Sequence, residues 1–584
     1  METTMDRRRF LKSALFTGTA LAASQALPRF AQASVMGTAA PTGFQRLFPQ
    51  LAAADFSTED LLRLAAGDGK GLSGMTAEPE VMEAADGSPR RNKDGHLLIT
   101  ATPEHEQDTE ENFGVPAGYT YLGQFIDHDI TFNPNDGFGP NANSATDPNL
   151  RTAWFDLDSL YGRGPGDQPY LYNADGRTLI AGRKLTEAGA PSKCTDHPRL
   201  NGRAMIGDKR NDENVIVSQL HAAFAAFHNQ VAHDRPHMAF NDLAREVAWH
   251  YQWIVLTDFL PRIVGPEMMA AVLPDFGTLS LPGSGRATQT FSKNLRPGEM
   301  PLEFAGAAYR FGHSMIRPVY RLNTRMQGTA QEKKENPALA GRRLIFAASQ
   351  YAGLNGFREY PQEWAIDWSL FFETNRKLDY THIKDGPKRV QAAYKFDTAL
   401  VNPLAFLPEF SQGRPDGNFA RDKDGNPQTQ SGKIANLALR NLLRGAQQGL
   451  PSGQDVARAM GLDPIADKDL RVGKATCEDM GENHAITAYG DGFKGRAPLW
   501  FYVLAEAQAL WCSKVEGMTA DDSRRDATPS YLGPVGGRLV AETMVALMLA
   551  DETSLLRAGQ SWRPAYTDKG VFTMRELLKA ADRA

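Results

Sequence analysis

The chain has 584 residues, 42% of them hydrophobic, with 64 basic against 69 acidic side chains and a formal net charge of -5 at pH 7. That content supplies a core easily and marks a globular protein of one large domain or several smaller ones, and the near balance of charge gives no basic bias that would favour a nucleic-acid partner, leaving small molecules as the expected partners. Three widely spaced cysteines, Cys194, Cys477 and Cys512, exclude a CxxC zinc pattern, a CxxCH haem attachment and a disulfide-rich scaffold, and allow at most one disulfide.

The amino terminus, "DRRRFLKSALFTGTALAASQALPRFAQAS", joins a basic region, a moderately apolar segment and a small-x-small ending at Ala31-Gln32-Ala33. It reads as an export signal over residues 1–33. Arg7 and Arg8, followed by Phe10, Leu11 and Lys12, resemble the twin-arginine signal, so the export machinery is an expected partner and a periplasmic or secreted location is expected. The apolar segment, broken by Thr17, Gly18 and Thr19, falls short of the roughly 20 residues a stable span needs. No membrane span is expected after its removal.

Stretches rich in Gly, Pro, Asn and Asp at 71–95, 133–149, 324–339 and 411–432 read as surface loops. Between them, apolar residues recur at spacings of three and four over 213–232, 242–260 (ending before Pro261), 302–316, 433–447 and 535–551, which predicts helices there. Alternating strand patterns are scarce and no repeat is present. The expected fold is therefore mainly α, one large helical domain with long loops and little β structure.

Four patches carry groups suited to chemistry. In "YLGQFIDHDI" (121–130), Leu122, Phe125, Ile126 and Ile130 fall on one side of a helix and Gln124, Asp127 and His128 on the other. That pattern suits an ordinary surface helix or a buried site equally. In "GDKRNDENVIV", Arg210 and Glu213 stand three apart at a helix start, as a surface ion pair or capping arrangement would. In "AAYRFGHSMIRP", His313 lies on an otherwise apolar segment, where a histidine is commonly a hydrogen-bonded core residue, yet Gly312 removes a side chain beside it, where something large and flat would fit. In "NLALRNLLRGAQQGLP", Asn441 sits among leucines and needs a partner if buried, and a histidine ring nitrogen is one candidate.

The order of "LGQFIDHDITF", "GDKRNDEN", "YQWIVLTDFLP", "YRFGHSMIRP" and "NLLRGAQQGLP" resembles that of the motifs of the animal-type haem peroxidases, the peroxidase-cyclooxygenase superfamily, and looks closest to its bacterial branch. The resemblance covers roughly residues 40–560. It implies a helical fold around one buried haem b, with an N-terminal extension over 34–115 packing on the core, a catalytic domain over 116–560 and a tail over 561–584. It further implies His128 as distal histidine, Arg210 as distal arginine and Gln124 as an amide of the distal pocket. His313 would be the proximal iron ligand, Asn441 would accept a hydrogen bond from its other nitrogen, and Arg310 would lie near a haem propionate. Asp127 and Glu213 match carboxylates that in many members become ester-linked to haem. Hydrogen peroxide and a small-molecule reductant are the implied substrates: His128 would shuttle a proton between the peroxide oxygens while Arg210 stabilises the departing one.

The same resemblance gives Asp129 a separate job, as a Ca2+ ligand together with "RTAWFDLDSLYG", in which Thr152, the carbonyl of Trp154, Asp156 and Asp158 would supply oxygens at alternate positions. The plainer reading is that Asp156 and Asp158 cap the helix that follows. Departures from the family pattern are Asn214, where halide-oxidising members can carry a methionine linked to haem; Ala226-Phe227-His228-Asn229, where Arg-Glu-His-Asn is frequent; and Ser452-Gly453-Gln454, where Gly-Tyr-Asn is common. The first weakens a case for chloride and leaves bromide, iodide, thiocyanate or phenolic donors. Two rivals remain: a fatty-acid dioxygenase of the same superfamily, which would want a tyrosine where Arg310 stands, and a metal-dependent hydrolase using Asp127, His128 and Asp129.

Overall fold

The helix predicted over 213–232 forms over Val215–Asp234, and Asn214 caps it by accepting from the Ile216 and Val217 N–H groups, donors that no helical carbonyl can reach. It belongs to a computed structural model that describes residues 43–68, 71–76, 109–134, 147–274, 287–328, 340–347, 353–378, 389–411, 434–476, 480–519, 523–557 and 562–583. These fall in one compact unit, Met36–Ala584. The predicted export signal, Cys477 and most of the four predicted loops lie outside the described residues.

Seven helices of nine residues or more are found among the described residues: α1 (Thr58–Ala66), α2 (Gly118–Ile130), α3 (Val215–Asp234), α4 (Phe240–Ile254), α5 (Leu437–Gln447), α6 (Leu499–Val515) and α7 (Pro534–Ala550). Strands are short and form six two-stranded pairs. The fold is mainly α, as the spacing predicts. α6 escapes that spacing because its first half is apolar all round: Leu499 to Ala505 are all buried, and a stretch surrounded by protein has no polar face to set a period. α2 lies against α3, where Phe125 stacks on Phe224 with ring centroids 4.7 Å apart.

Two predicted helices differ in shape. Pro261 does not end the segment predicted over 242–260: α4 passes through a π-helical turn, Val255–Phe259, into a further turn, Leu260–Val264. Proline is tolerated because it opens the new segment, where its missing N–H has no bond to make. Asp258 in the wide turn is buried and accepts from the Tyr119 hydroxyl at 2.7 Å and the Met574 N–H at 3.0 Å.

The segment predicted as one helix over 302–316 is α-helical only at Leu302–Gly306, breaks at Ala307 (φ -138°, ψ -72°) and continues as a 3-10 segment over Ala308–His313. The neighbourhood accounts for the break. A Cβ at Gly306 would stand 1.9 Å from Gln448 Oε1, Arg310 Nε takes the Ala305 carbonyl at 2.9 Å, and the Trp500 indole on α6 donates to the Arg310 carbonyl at 3.1 Å. Tertiary partners thus replace helical ones, and His313 sits at the end of a tight turn.

Candidate active site

α2 sorts its residues as their spacing predicts. Leu122, Phe125, Ile126 and Ile130 are fully buried, His128 is 4% exposed and Asp129 fully buried, whereas Gln124 and Asp127 are half-buried. The consecutive Asp127, His128 and Asp129 do not converge on one ion. Asp127 Oδ1 accepts from the Thr131 hydroxyl at 3.0 Å, His128 turns toward the 208–213 segment, and Asp129 turns toward the 152–158 loop. The geometry therefore corrects the hydrolase alternative, which needs all three at one metal.

The turn Lys209–Asp212 begins with Asp208 accepting from the Arg210 N–H, and Arg210 and Asn211 within it, with Glu213 and Asn214 just after it, meet α2. Asn211 Oδ1 lies 2.9 Å from His128 Nδ1, and because a carbonyl oxygen only accepts, Nδ1 of His128 is the protonated nitrogen and Nε2 carries the free lone pair. Asn211 Nδ2 lies 3.1 Å from His221 Nδ1 on α3, while the Asn211 carbonyl is 3.1 Å from His197 Nε2. Gln124 Nε2 donates to Glu213 Oε2 at 3.0 Å, and Gln124 Oε1 accepts from Asn214 Nδ2 at 3.0 Å. His128 Nε2 stands 3.7 Å from Glu213 Oε2. Burial, then the charge of Arg210, lowers His128 to about 4, and burial pushes Glu213 up to about 8. Near neutral pH both are uncharged, so they face each other as base and acid and not as an ion pair.

Arg210 is anchored through several atoms. Its Nε and Nη2 donate to Asp208 at 3.1 and 2.8 Å, and Nη2 also reaches the carbonyls of His128 (3.0 Å) and Thr131 (2.6 Å) at the end of α2. Despite burial, which pushes the other way, Arg210 and Arg151 hold the Asp208 carboxyl well below the usual range. Nη1 stands 4.0 Å from Asp127 Oδ2. The guanidinium is thus a fixed charge that also ties α2 to the turn.

Across from α2, Tyr309 donates to the Gly123 carbonyl at 3.2 Å, which joins the 308–313 segment to the same helix. His313 Nδ1 and Asn441 Nδ2 are 2.8 Å apart. The pair is the expected one, but the amide is turned: Asn441 Oδ1 accepts from Arg310 Nη1 at 2.9 Å, so Asn441 donates to His313 and does not accept from it. The reason is that Arg310 has only donors to offer and claims the oxygen. Arg310, expected at a propionate, is here held by Asn441 and the Ala305 carbonyl. Burial, then Arg310, lowers His313 to about 3, so it is neutral at ordinary pH.

A third cluster lies behind His128. Asp129, Asp156 and Asp158 are buried, each with a carboxylate oxygen within 4.8 Å of the others. Asp129 accepts from the Leu157 and Ser159 N–H groups at 3.2 and 3.4 Å, the Thr152 hydroxyl donates to both Asp156 oxygens at 2.9 Å, and Asp158 Oδ2 accepts from the Thr152 N–H at 3.1 Å. Asp158 Oδ1 has no hydrogen-bond partner. Trp154 lies in the loop they enclose. Burial, then the neighbouring charge of Asp158, raises Asp129 and Asp156; burial raises Asp158 to about 7. Three carboxylates crowded this way, one oxygen unsatisfied, form a donor set for a hard cation. The plainer reading does not hold: Leu157 is the cap of the short turn Asp158–Tyr161, with no side-chain cap bond, and Asp158 is the turn's first residue.

The spacing arguments missed Asn211, His221 and His197. Asn211 was in view within "GDKRNDEN", next to Arg210; the two histidines carry no local signal, because only the packing of α3 brings them to it.

The described residues thus form a helical protein with one histidine group around His128 and another around His313. The model of the animal haem peroxidase family matches residues 135–361, which include Arg210, Glu213, Arg310 and His313 but neither α2 nor Asn441. The chain is 27% identical over 258 residues to a peroxidase-like protein of Margaritifera margaritifera, covering 34% of this chain and 32% of the relative. It is 25% identical over 224 residues to thyroid peroxidase of Homo sapiens, covering 34% of this chain and 22% of that one. The matched stretch thus spans a third or less of these relatives. Among solved structures, it is similar to peroxidase A from Dictyostelium discoideum (TM-score 0.45, 14% identity, 93% of each chain) and to a fatty acid alpha-dioxygenase of Oryza sativa (TM-score 0.43, 14% identity, 91% of this chain and 85% of that one). Over residues 135–361 the chain is thus similar to the animal haem peroxidase family. No helix among the described residues is long and apolar enough to cross a membrane.

Proposed function

We propose that the chain is an exported haem peroxidase that reduces hydrogen peroxide by two-electron heterolysis and oxidises a small reductant. The observation that carries this reading is a neutral His128, its Nδ1 held by Asn211 and Arg210 fixed beside it, together with a neutral His313 held by Asn441 on a segment that Tyr309 joins to the same helix. The residues fit haem. An added Cβ at Gly312 meets nothing within 4 Å, so there is open space beside His313. The Asp127 and Glu213 side chains keep 40% and 33% of their surface accessible, so a bound group can reach both carboxyls.

His313 would hold the iron through Nε2, and Asp127 and Glu213 would be the tethers if ester bonds form. Bound haem would supply the iron at which peroxide is cleaved and the store of oxidising power for the reductant. The chain's own residues do the proton work. His128 Nε2 accepts a proton from one peroxide oxygen and returns it to the other, Asn211 keeps Nδ1 protonated throughout, and Arg210 offsets charge on the departing oxygen. For His313 to donate from Nδ1, the Asn441 amide must turn and Arg310 must release its oxygen, which frees Arg310 to pair with an acidic group. Purified protein is expected to show a haem absorption band that shifts on adding peroxide; a band indifferent to peroxide sinks the reading. Turnover against bromide, iodide, thiocyanate and phenols then identifies the donor.

The Asp129, Asp156 and Asp158 cluster, with Thr152 and the Trp154 carbonyl, would bind Ca2+ and brace the helix that carries His128. Without a cation, carboxyls raised by burial favour the folded state when protonated, a stabilisation full below about pH 4 and lost as pH rises through about 7. Ca2+ needs the ionised forms and reverses that sign. A chelator should therefore lower the melting temperature by several degrees at about pH 8 and little at about pH 5. Equal effects at both values would remove the cation from the site.

A further inference from the structure

A cavity of about 270 Å³ lies against the face of α3 that carries His221, Ala222, Ala225, Ala226 and Asn229. The stripe of alanines makes the room, and Ala226 is the position that reads Arg in the family motif this stretch resembles. Leu160, Leu171, Leu179, Met205 and Ile206 form the apolar walls. Exposed Ala181 and half-buried Ile180 stand at its edge, so the cavity reaches the surface. Its inner wall includes His197 and His221, the rings that flank Asn211.

Most polar groups of the lining are already engaged. Asp196 is paired with Arg199 at 2.8 Å, the Asn229 amide bonds the Leu179 backbone, and Gln230 bonds Asp234. Arg583 is the exception. It lines the cavity, its Nε is buried with no hydrogen-bond partner, and no ion pair is formed by it among the described residues. The adjacent Asp582 reaches Lys193 at 2.7 Å instead. Burial holds the Arg583 guanidinium below its usual range, as befits a cation short of a counter-charge. A cavity with apolar walls and a guanidinium that forms no ion pair among the described residues is complementary to an anion with an apolar body.

We propose that this cavity, which neither His128 nor His313 lines, is a second binding site for a small organic carboxylate whose carboxylate pairs with Arg583 and whose apolar body packs along the Ala222, Ala225 and Ala226 face. A volume at the small end of the range for ligand pockets limits the occupant to about the size of a medium-chain or single-ring carboxylate. The occupant would lie against His221, two side chains from His128. The site does not depend on haem.

Calorimetric titration of the purified full chain with sodium octanoate tests it, with octanol and octylamine as neutral and cationic controls. Saturable binding of one octanoate per chain is expected, with octanol at least about tenfold weaker and octylamine not detected. Arg583→Gln should weaken octanoate by about tenfold or more while leaving octanol unchanged. Ala226→Phe, which fills the cavity, should abolish binding of both, and His313→Ala should leave it intact. Octanoate that binds no better than octanol, or that binds Ala226→Phe as well as the parent, overturns the assignment, and a variant that melts as the parent does while keeping full affinity cannot be set aside as misfolded.

Discussion

His313→Ala is expected to give a folded protein that holds little haem and shows no peroxide reaction. The proposed reading makes His313 the one side chain bonded to iron, and the axial ligand both retains the cofactor and sets its electronics. The substitution falls at the end of a 3-10 segment anchored by the Trp500 indole on the Arg310 carbonyl and by the Tyr309 hydroxyl on the Gly123 carbonyl, not by the His313 ring, so the turn should survive. Haem content from absorbance, set beside a circular dichroism spectrum, separates loss of cofactor from loss of fold. Asn441→Ala gives the graded version, roughly a 10–100-fold loss of affinity or activity as for other partners of metal-bound histidines. A His313→Ala protein with full haem content and an unchanged spectrum would place the proximal ligand elsewhere.

His128→Ala is expected to keep haem but slow the reaction with peroxide by about 10²–10⁴-fold, the usual worth of a positioned proton shuttle. Because burial and Arg210 hold His128 near 4, the parent rate should stay level as pH falls from neutrality and decline only as His128 protonates near that value. Stopped-flow mixing across pH reads both effects. Asn211→Ala should shift the profile as well as the rate, since Asn211 is what fixes the protonated nitrogen. An undiminished rate in His128→Ala would falsify the assignment of the base.

The helical class and the polar face of α2 were legible because both rest on local spacing, and Asn214 as an N-cap lies in reach of the same rules. The break at Ala307 was not, because it comes from Gln448 and Trp500, residues more than a hundred positions away. The pairing of His313 with Asn441 was foreseen through the resemblance, while the turned amide was not: it depends on whether Arg310 has another acceptor, which is a question about three side chains at once. Asn211 shows the same limit from the other side. It lay in a quoted motif, yet only folding reveals that its two ends meet two different histidines.

The divergence of Asp127, His128 and Asp129 also restricts how the gene can change. A single residue inserted into α2 ahead of Gln124 would turn everything after it by about 100°, carrying the base, the candidate tether and the cation ligand off their partners together. No point substitution could restore all three. The length of the stretch from Gln124 to Asp129 should therefore be conserved among homologues more strictly than its letters.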